Sequence, residues 1–134
     1  MNNFVLDTNI CIYWLKGKPE IRKKIERVGV NRLKITVISL AELKYGAYYS
    51  QKVNENLKNI DNFLKQVRTL SLTNEATDLF GKIKADLRRS GQIIEDFDIL
   101  IASIVMIHDD ILVTGNVDHF SKIIALRYEN WLEK

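Results

Sequence analysis

The sequence predicts an α/β fold in which a central, mostly parallel sheet of four to five short strands is flanked by helices on both faces. Short apolar segments alternate along the chain with longer segments whose apolar residues recur at helical spacing, a pattern typical of βαβ units. The chain has 134 residues, the usual size of one domain, and shows no internal repeat, low-complexity tract or linker. We therefore expect a single domain over residues 1–134.

Two strands and four helices are predicted in the first half of the chain. Residues 4–6 are apolar and end abruptly at a polar Asp-Thr-Asn segment, as a buried strand does before a helix begins. Residues 34–38 are rich in β-branched side chains, which favours a second strand. Ser39 and Glu42 match the capping-box pattern, which predicts a helix start at Ser39. Helices are expected over residues 10–15, 20–28, 39–49 and 56–67.

The second half of the chain is predicted to contain two long helices and up to three strands. Thr73 or Asn74 is expected to cap a helix that ends at Arg89. Asp96 is expected to cap a helix over residues 97–108, which is apolar nearly all round and should therefore be buried. Residues 111–113 form a predicted strand, and further strands are predicted at residues 70–72 and 126–128.

Composition and charge exclude several classes of protein. The chain is 46% hydrophobic, has one cysteine, Cys11, and therefore cannot form an internal disulfide. The N-terminal segment lacks the pattern of a signal peptide, and no apolar stretch approaches the ~18 residues that span a bilayer. We expect a soluble, cytoplasmic protein with no membrane partner.

Basic residues are concentrated in two segments, although the formal net charge is only +3. Such clusters can attract phosphates, but they are also common on solvated helix faces, and the sequence leaves both interpretations open. The clusters consist of Lys16, Lys18, Arg22, Lys23, Lys24, Arg27, Arg32 and Lys34 in the first segment, and of Lys82, Lys84, Arg88 and Arg89 in the second.

Three acidic residues are expected to meet at one edge of the sheet. Asp7 follows the first strand, Glu42 lies one turn into the predicted helix after the second, and Asp98 begins the buried helix. In open parallel sheets the carboxyl ends of strands and the adjoining helix starts share an edge. Alternatively, Glu42 is only the reciprocal cap of Ser39, and Asp98 only a first-turn residue that suits the helix dipole.

Converging carboxylates predict a site for Mg²⁺ or Mn²⁺. Carboxylates that lie close together away from water repel one another, and a hard divalent cation removes this conflict. Two such ions ~4 Å apart could stabilise the attacking and leaving oxygens of a phosphodiester displacement. Cys11 has no evident base partner and the chain has no Walker loop, so neither covalent catalysis nor P-loop chemistry is expected.

Several further polar residues are candidates for supporting roles. Thr114 is expected to hydrogen-bond a carboxylate ligand and Asn116 to hold a water or a metal, although the segment could equally be an ordinary turn. Asp96 is a candidate auxiliary ligand, with helix capping favoured. His108 and His119 are expected to be structural, and no zinc site is expected because a third ligand at suitable spacing is missing.

Four segments resemble the PIN-domain nucleases, and their order and the chain length resemble the VapC-type toxins of bacterial toxin–antitoxin systems. The segments are residues 4–9 (FVLDTN), 39–46 (SLAELKYG), 96–102 (DFDILIA) and 112–120 (LVTGNVDHF). The resemblance implies a Mg²⁺- or Mn²⁺-dependent endoribonuclease with Asp7, Glu42 and Asp98 as its core acidic ligands. It also implies a fourth metal position at Asn116 and a supporting hydroxyl at Thr114.

The same resemblance implies an RNA substrate, a homodimer, and a cognate antitoxin protein that also binds operator DNA. One departure is His119, where relatives frequently have an acidic residue. Three other functions are weighed against this one. They are a PIN-like module that binds RNA without cutting it, a phospho-receiver domain, and a structure-specific DNA nuclease. A phospho-receiver domain would need an acidic pair after the first strand, where this chain has only Asp7, and DNA nucleases of the third kind are generally longer than this chain.

Overall fold

A computed structural model describes residues 2–132 and contains a sheet in which every strand pairing is parallel. The strands described are β1 (Phe4–Leu6), β2 (Leu33–Thr36), β3 (Arg68–Leu70), β4 (Ile111–Val113) and β5 (Tyr128–Glu129). Their order across the sheet is β3-β2-β1-β4-β5, so β1 lies at the centre. The prediction of an α/β fold with a parallel sheet of four to five strands is confirmed.

Helices connect the strands, as parallel pairing requires. The α-helices described are α1 (Thr8–Leu15), α2 (Pro19–Val28), α3 (Val37–Tyr49), α4 (Val53–Leu64), α5 (Asn74–Arg89), α6 (Asp96–Ile107) and α7 (Val117–Phe120). A short 3₁₀ turn, Val30–Arg32, leads into β2. None of the helices between residues 2 and 132 is long and apolar enough to cross a membrane.

Two hydrophobic cores cover the two faces of the sheet. Phe4 and Leu6 point into one core, which also contains buried residues of α1, α2, α3 and α4. Val5 points into the other core, which is formed mainly by α5 and α6. This alternation follows from the two-residue period of a strand. Helices therefore flank both faces, as predicted.

Helix α6 is buried, as its apolar sequence predicts. Six of its residues are buried, and they include the polar Ser103, whose hydroxyl donates to the Ile99 carbonyl at 2.7 Å. This bond satisfies the polar group inside the core. Because α6 is held in the core along its length, its first turn is fixed at the sheet edge where Asp98 lies.

The predicted boundary between β2 and α3 was wrong. The strand ends at Thr36, and Thr36 is also the N-cap of α3, with its Oγ1 accepting from the Ser39 N–H at 3.1 Å. Ser39 is therefore inside the helix rather than its cap. Thr36 can serve both elements because its backbone is extended (φ −92°, ψ 157°) and its hydroxyl reaches the first turn. The β-branched Val37 and Ile38 belong to the helix despite their strand propensity.

Other boundaries shift by two or three residues, mainly because strand pairing rather than local pattern sets them. Strand β3 lies earlier than predicted, since Leu70 pairs with Thr36, and β5 lies later, since Tyr128 pairs with Leu112. Helix α4 begins and ends three residues before the predicted bounds. The N-cap of α6 is Glu95 rather than Asp96. The short helix α7 was not predicted.

Candidate active site

Asp7 is a buried carboxylate at the carboxyl end of the central strand. It caps α1, and its Oδ1 accepts from the Thr8 N–H at 2.8 Å while its Oδ2 accepts from the Thr114 hydroxyl at 2.8 Å. Only 5% of the residue is exposed. Burial raises the pKa of Asp7 to about 6, and the charges of Asp98 and Glu42 add to the rise, although the two hydrogen bonds oppose it. Both other acids are thus close enough to act on Asp7 electrostatically.

Glu42 faces Asp7 across the start of α1. Its Oε1 accepts from the Thr8 hydroxyl at 2.7 Å, and Thr8 Oγ1 also lies 2.9 Å from Ser39 Oγ. The Ser39 N–H is bonded to Thr36 instead, so the interpretation of Glu42 as a reciprocal cap of Ser39 is wrong. Thr8 therefore links two carboxylates, with its backbone N–H on Asp7 and its hydroxyl on Glu42.

Asp98 lies in the first turn of α6, and its side chain is 20% exposed. Its Oδ2 is 3.0 Å from His119 Nδ1, which in turn is 2.8 Å from Asn116 Nδ2. The Asn116 backbone N–H donates to Thr114 Oγ1 at 2.9 Å. The turn after β4 thus connects Asp98 to the hydroxyl group that holds Asp7.

A continuous polar network joins the three acids at one edge of the sheet, where they were predicted to converge. Each of its links is between 2.7 and 3.0 Å long. The network runs through Glu42, Thr8, Asp7, Thr114, Asn116, His119 and Asp98. The hydrogen bond expected between Thr114 and a carboxylate is present, and Asn116 lies at the predicted edge.

The chemistry of the network suits an oxygen-preferring divalent cation that keeps part of its water shell. Within residues 2–132, no three His, Cys, Asp or Glu side chains are arranged as a ready-made cluster around one point. Hydroxyl and amide groups separate the carboxylates instead. Mg²⁺ is usually bound through one or two carboxylates and several waters, so an open site of this kind fits it. Burial raises the pKa of Asp7, and a cation bound beside it would favour the ionised carboxylate.

Two residues of the network, Thr8 and His119, and the adjoining Ser39 were missed or misread in the sequence. Thr8 and Ser39 contact each other over 31 residues of chain, and no local pattern indicates this. His119 was expected to be structural, yet its ring touches Asp98 and Asn116. Two signals were available, since relatives frequently have an acidic residue at this position and His119 lies three residues after Asn116, a spacing that brings two side chains together on a helical turn.

The other candidates lie outside the network. Asp96 forms an ion pair with Lys84 at 2.8 Å, so it is neither the cap of α6 nor a member of the network. His108 is the exposed C-cap residue at the opposite end of α6. Cys11 is fully buried, and its burial, reinforced by the charge of Asp7, raises the pKa of the thiol. Burial of this kind disfavours the thiolate, which is the reactive form of cysteine.

An open groove of about 420 Å³ lies beside Glu42, between α1, α3 and α4. Its apolar lining includes Ile12, Leu43 and Ile60, and Lys16 contributes a cation. Part of the first basic cluster is engaged elsewhere, since Lys34 forms an ion pair with Asp110 at 2.8 Å. The groove is nevertheless lined both by one member of that cluster, Lys16, and by one carboxylate of the network, Glu42.

Comparisons with known proteins identify the class to which this fold and site belong. The family description of the PIN domain matches residues 4–125. A protein of Haemophilus influenzae named ribonuclease VapC2 is 37% identical over 98% of this chain and 100% of its own length. A protein of Shigella flexneri named tRNA(fMet)-specific endonuclease VapC is 35% identical over 98% of this chain and 99% of its own.

Solved structures give the same result. The VapBC complex of Salmonella typhimurium bound to DNA contains a chain with a TM-score of 0.91, 34% identity, and coverage of 98% of this chain and 99% of that one. VapBC2 of Rickettsia felis, bound to a fragment of its promoter DNA, gives a TM-score of 0.89 and 32% identity over 96% and 98% of the two chains. The chain belongs to the VapC proteins of the PIN-domain family.

Proposed function

We propose that this chain is an endoribonuclease that hydrolyses RNA phosphodiester bonds with Mg²⁺ or Mn²⁺, and that it is the toxin of a type II toxin–antitoxin pair. The observation that carries the proposal is the buried carboxylate of Asp7, which is linked to Glu42 through Thr8 and to Asp98 through Thr114, Asn116 and His119, at one edge of the sheet. The names of the relatives, which describe ribonucleases and a tRNA endonuclease, support RNA as the substrate. Residues 1–134 would form one nuclease domain.

Asp7, Glu42 and Asp98 would hold the divalent ion or ions, with Asn116 as a fourth ligand. When bound, such ions lower the pKa of a coordinated water and offset the negative charge of the phosphate during hydrolysis. They would also reverse the effect of burial on Asp7, since a nearby cation favours the ionised carboxylate. The site is thus expected to be complete only in the presence of the ion.

The neighbouring polar groups would hold the carboxylates in place for this chemistry. Thr8 N–H and the Thr114 hydroxyl fix both oxygens of Asp7, so that its remaining lone pairs have a defined direction. The Thr8 hydroxyl holds one oxygen of Glu42, leaving the other to orient the attacking water. These bonds are made by rigid elements, which is what a preorganised site requires.

A cognate antitoxin is the expected protein partner. Structures of relatives that contain both VapB and VapC, two of them bound to DNA, support this partner and its contact with operator DNA. The groove combines apolar side chains with one carboxylate of the network, Glu42, and is therefore suited to a peptide segment that carries a basic residue. The chain is expected to form a homodimer.

Cleavage of mixed cellular RNA by the purified, antitoxin-free chain tests the function. The reaction is run with Mg²⁺, with Mn²⁺ and with chelator, beside the variants Asp98→Asn and Asp78→Asn. Asp78 is an exposed residue of α5 whose replacement changes the net charge equally. Discrete, metal-dependent fragments that persist in Asp78→Asn and vanish in Asp98→Asn are the expected result.

The same experiment separates cleavage from binding alone. RNA that is retained by the folded protein in chelator, with no fragments under any metal condition, would favour a PIN-like module that binds RNA without cutting it. Equal cleavage by Asp98→Asn would remove the acidic network from the mechanism. A folded Asp7→Asn protein that still cleaves would do the same.

A further inference from the structure

His119 brings one ring nitrogen to two polar groups of the site at once. Nδ1 lies 3.0 Å from Asp98 Oδ2 and 2.8 Å from Asn116 Nδ2. A ring nitrogen either carries a proton and donates, or lacks one and accepts. If Nδ1 lacks a proton and accepts from the Asn116 amide, then Nδ1 and the Asp98 carboxylate oxygen direct lone pairs at each other and repel. If Nδ1 carries a proton and donates it to Asp98, this N–H group lies against the N–H group of the Asn116 amide.

Turning the Asn116 amide over removes the second conflict, because the exchanged oxygen and nitrogen have nearly the same shape. In the other tautomer of His119 the proton is on Nε2, and Asp98 Oδ2, His119 Nδ1 and Asn116 Oδ1 are then three neighbouring atoms that can each offer an electron pair. Two of these atoms are oxygens and one is a nitrogen. This is a donor set for a cation.

The spacing of the atoms around Nδ1 is that of neighbouring ligands on an octahedral ion. Ligand atoms at adjacent corners, with bonds of about 2.1 Å, lie about 3.0 Å apart. The two distances from Nδ1, 3.0 and 2.8 Å, agree with this geometry. An ion could therefore be held without a large movement of His119 or Asp98.

The fold holds these side chains in position and leaves them accessible. Asn116 is tied to Thr114 by its backbone N–H, and Thr114 is tied to Asp7, so the turn after β4 is fixed to the centre of the site. Phe120, which follows His119, is fully buried and anchors α7. The side chains of His119 and Asp98 are 38% and 20% exposed, which allows a hydrated ion to enter.

We infer that His119 Nδ1 is a nitrogen ligand beside Asp98 and Asn116, and that it makes this chain bind Mn²⁺ in preference to Mg²⁺. The inference rests on the proposed function, in which the carboxylates of the network hold a divalent ion. Imidazole nitrogen is a good ligand for first-row transition metals, whereas Mg²⁺ favours oxygen. Mn²⁺ accepts both carboxylate oxygen and imidazole, which suits a mixed donor set.

Pulsed EPR of Mn²⁺ bound to the purified full chain tests the nitrogen ligand directly. The chain has only two histidines, so ¹⁵N-histidine labelling reports on His108 and His119 alone. We expect a directly coordinated ¹⁴N signal that changes on labelling, disappears in His119→Asp and persists in His108→Asn. His108 is exposed at the far end of α6, which makes it a matched control.

Binding titrations test the preference. The ratio of the Kd for Mg²⁺ to that for Mn²⁺ is expected to fall by about tenfold or more in His119→Asp, because the variant replaces the nitrogen by a carboxylate oxygen. It should be unchanged in His108→Asn. Thermal unfolding of the metal-free variants checks that each is folded.

The outcomes separate this inference from the proposed function. Mn²⁺ that binds the labelled wild-type chain without a histidine coupling overturns the role of His119 and leaves the metal-dependent nuclease intact. An unchanged Mg²⁺-to-Mn²⁺ ratio in folded His119→Asp overturns the preference. Failure of the wild-type chain to bind either ion overturns both the inference and the metal-dependent function.

Discussion

Replacing Asp7 by asparagine should stabilise the metal-free protein at neutral pH while abolishing its proposed activity. The carboxylate is 5% exposed, and burial raises its pKa from 3.8 to about 6. The folded state therefore binds the proton more tightly than the unfolded chain does. Folding stability from this group is present below about pH 4 and falls as the pH rises towards 6, because the folded protein must then hold an ionised, desolvated carboxylate.

The size of the effect follows from the two pKa values. A difference between 3.8 and about 6 corresponds to about 3 kcal/mol of destabilisation above pH 6. Asparagine has no charge to desolvate and keeps an oxygen for the Thr8 N–H. Its amide N–H, however, opposes the proton of the Thr114 hydroxyl, which costs about 1 kcal/mol. Asp7→Asn should thus be about 2 kcal/mol more stable than the wild type at pH 8, and about 1 kcal/mol less stable at pH 4.

Urea unfolding in chelator, at intervals between pH 4 and pH 8, measures this crossover. The exposed Asp61 on α4 provides the control, since Asp61→Asn removes a charge without removing a buried one. Addition of Mn²⁺ at pH 7.5 should stabilise the wild type and have little effect on Asp7→Asn. Curves for wild type and Asp7→Asn that run parallel across the whole pH range would refute the reasoning, since they would show that Asp7 titrates alike in the folded and unfolded states.

Three further outcomes are expected. Thr114→Val keeps the shape of the side chain but removes its hydrogen bond to Asp7, and should lower the rate of RNA cleavage by about tenfold or more, since one hydrogen bond to a charged group is worth about 1.5–3 kcal/mol. Thr114→Ser keeps the hydroxyl and should retain the rate, and equal rates for the two variants would contradict this. Lys34→Met should cost about 3 kcal/mol in urea unfolding because it leaves the buried Asp110 without its partner, and a milder loss is expected when both are replaced by apolar residues. RNA affinity in chelator should decrease as salt rises from 50 to 200 mM in filter binding, whereas a salt-independent affinity would exclude phosphate contacts by the basic clusters.

The convergence of the three acids could be predicted because it depends on topology rather than on side-chain detail. Short apolar strands alternating with helices imply parallel pairing, and parallel strands place their carboxyl ends at one edge. Asp7 and Asp98 are 91 positions apart, yet each is adjacent to a buried element that belongs to this edge. Their roles as metal ligands stay predictions until binding is measured.

Helix and strand boundaries were harder to predict because two local signals compete at the joint between β2 and α3. Ser39 and Glu42 match a capping box, and Val37 and Ile38 have strand propensity, so the sequence favours a helix start at Ser39. Pairing of Thr36 with Leu70 ends the strand earlier, and the Thr36 hydroxyl then caps the helix. The pairing of β2 with β3 thus sets the boundary between strand and helix, in place of the capping-box pattern at Ser39 and Glu42.

The polar links between the acids were not predictable from the sequence. Thr8 reaches Glu42 across 34 positions, and His119 reaches Asp98 across 21, so neither contact leaves a periodic trace in the chain. Thr114 is the exception, because it was expected at the same edge as Asp7 from its place after β4. A residue at the end of a strand can be assigned to an edge, but its hydrogen-bond partner cannot.

The burial of Asp7 is itself an argument for a cation-binding function. An ionised carboxylate this deeply buried weakens the folded protein, and its two hydrogen bonds do not restore the pKa to its ordinary value. A residue that served stability alone would gain from being neutral at this position, which is the effect expected of Asp7→Asn. The charge becomes favourable when a divalent ion is bound, because the ion supplies the positive partner that Glu42 and Asp98 cannot. Stability lost in the metal-free state and affinity gained for the ion would then be two consequences of the same desolvated carboxylate.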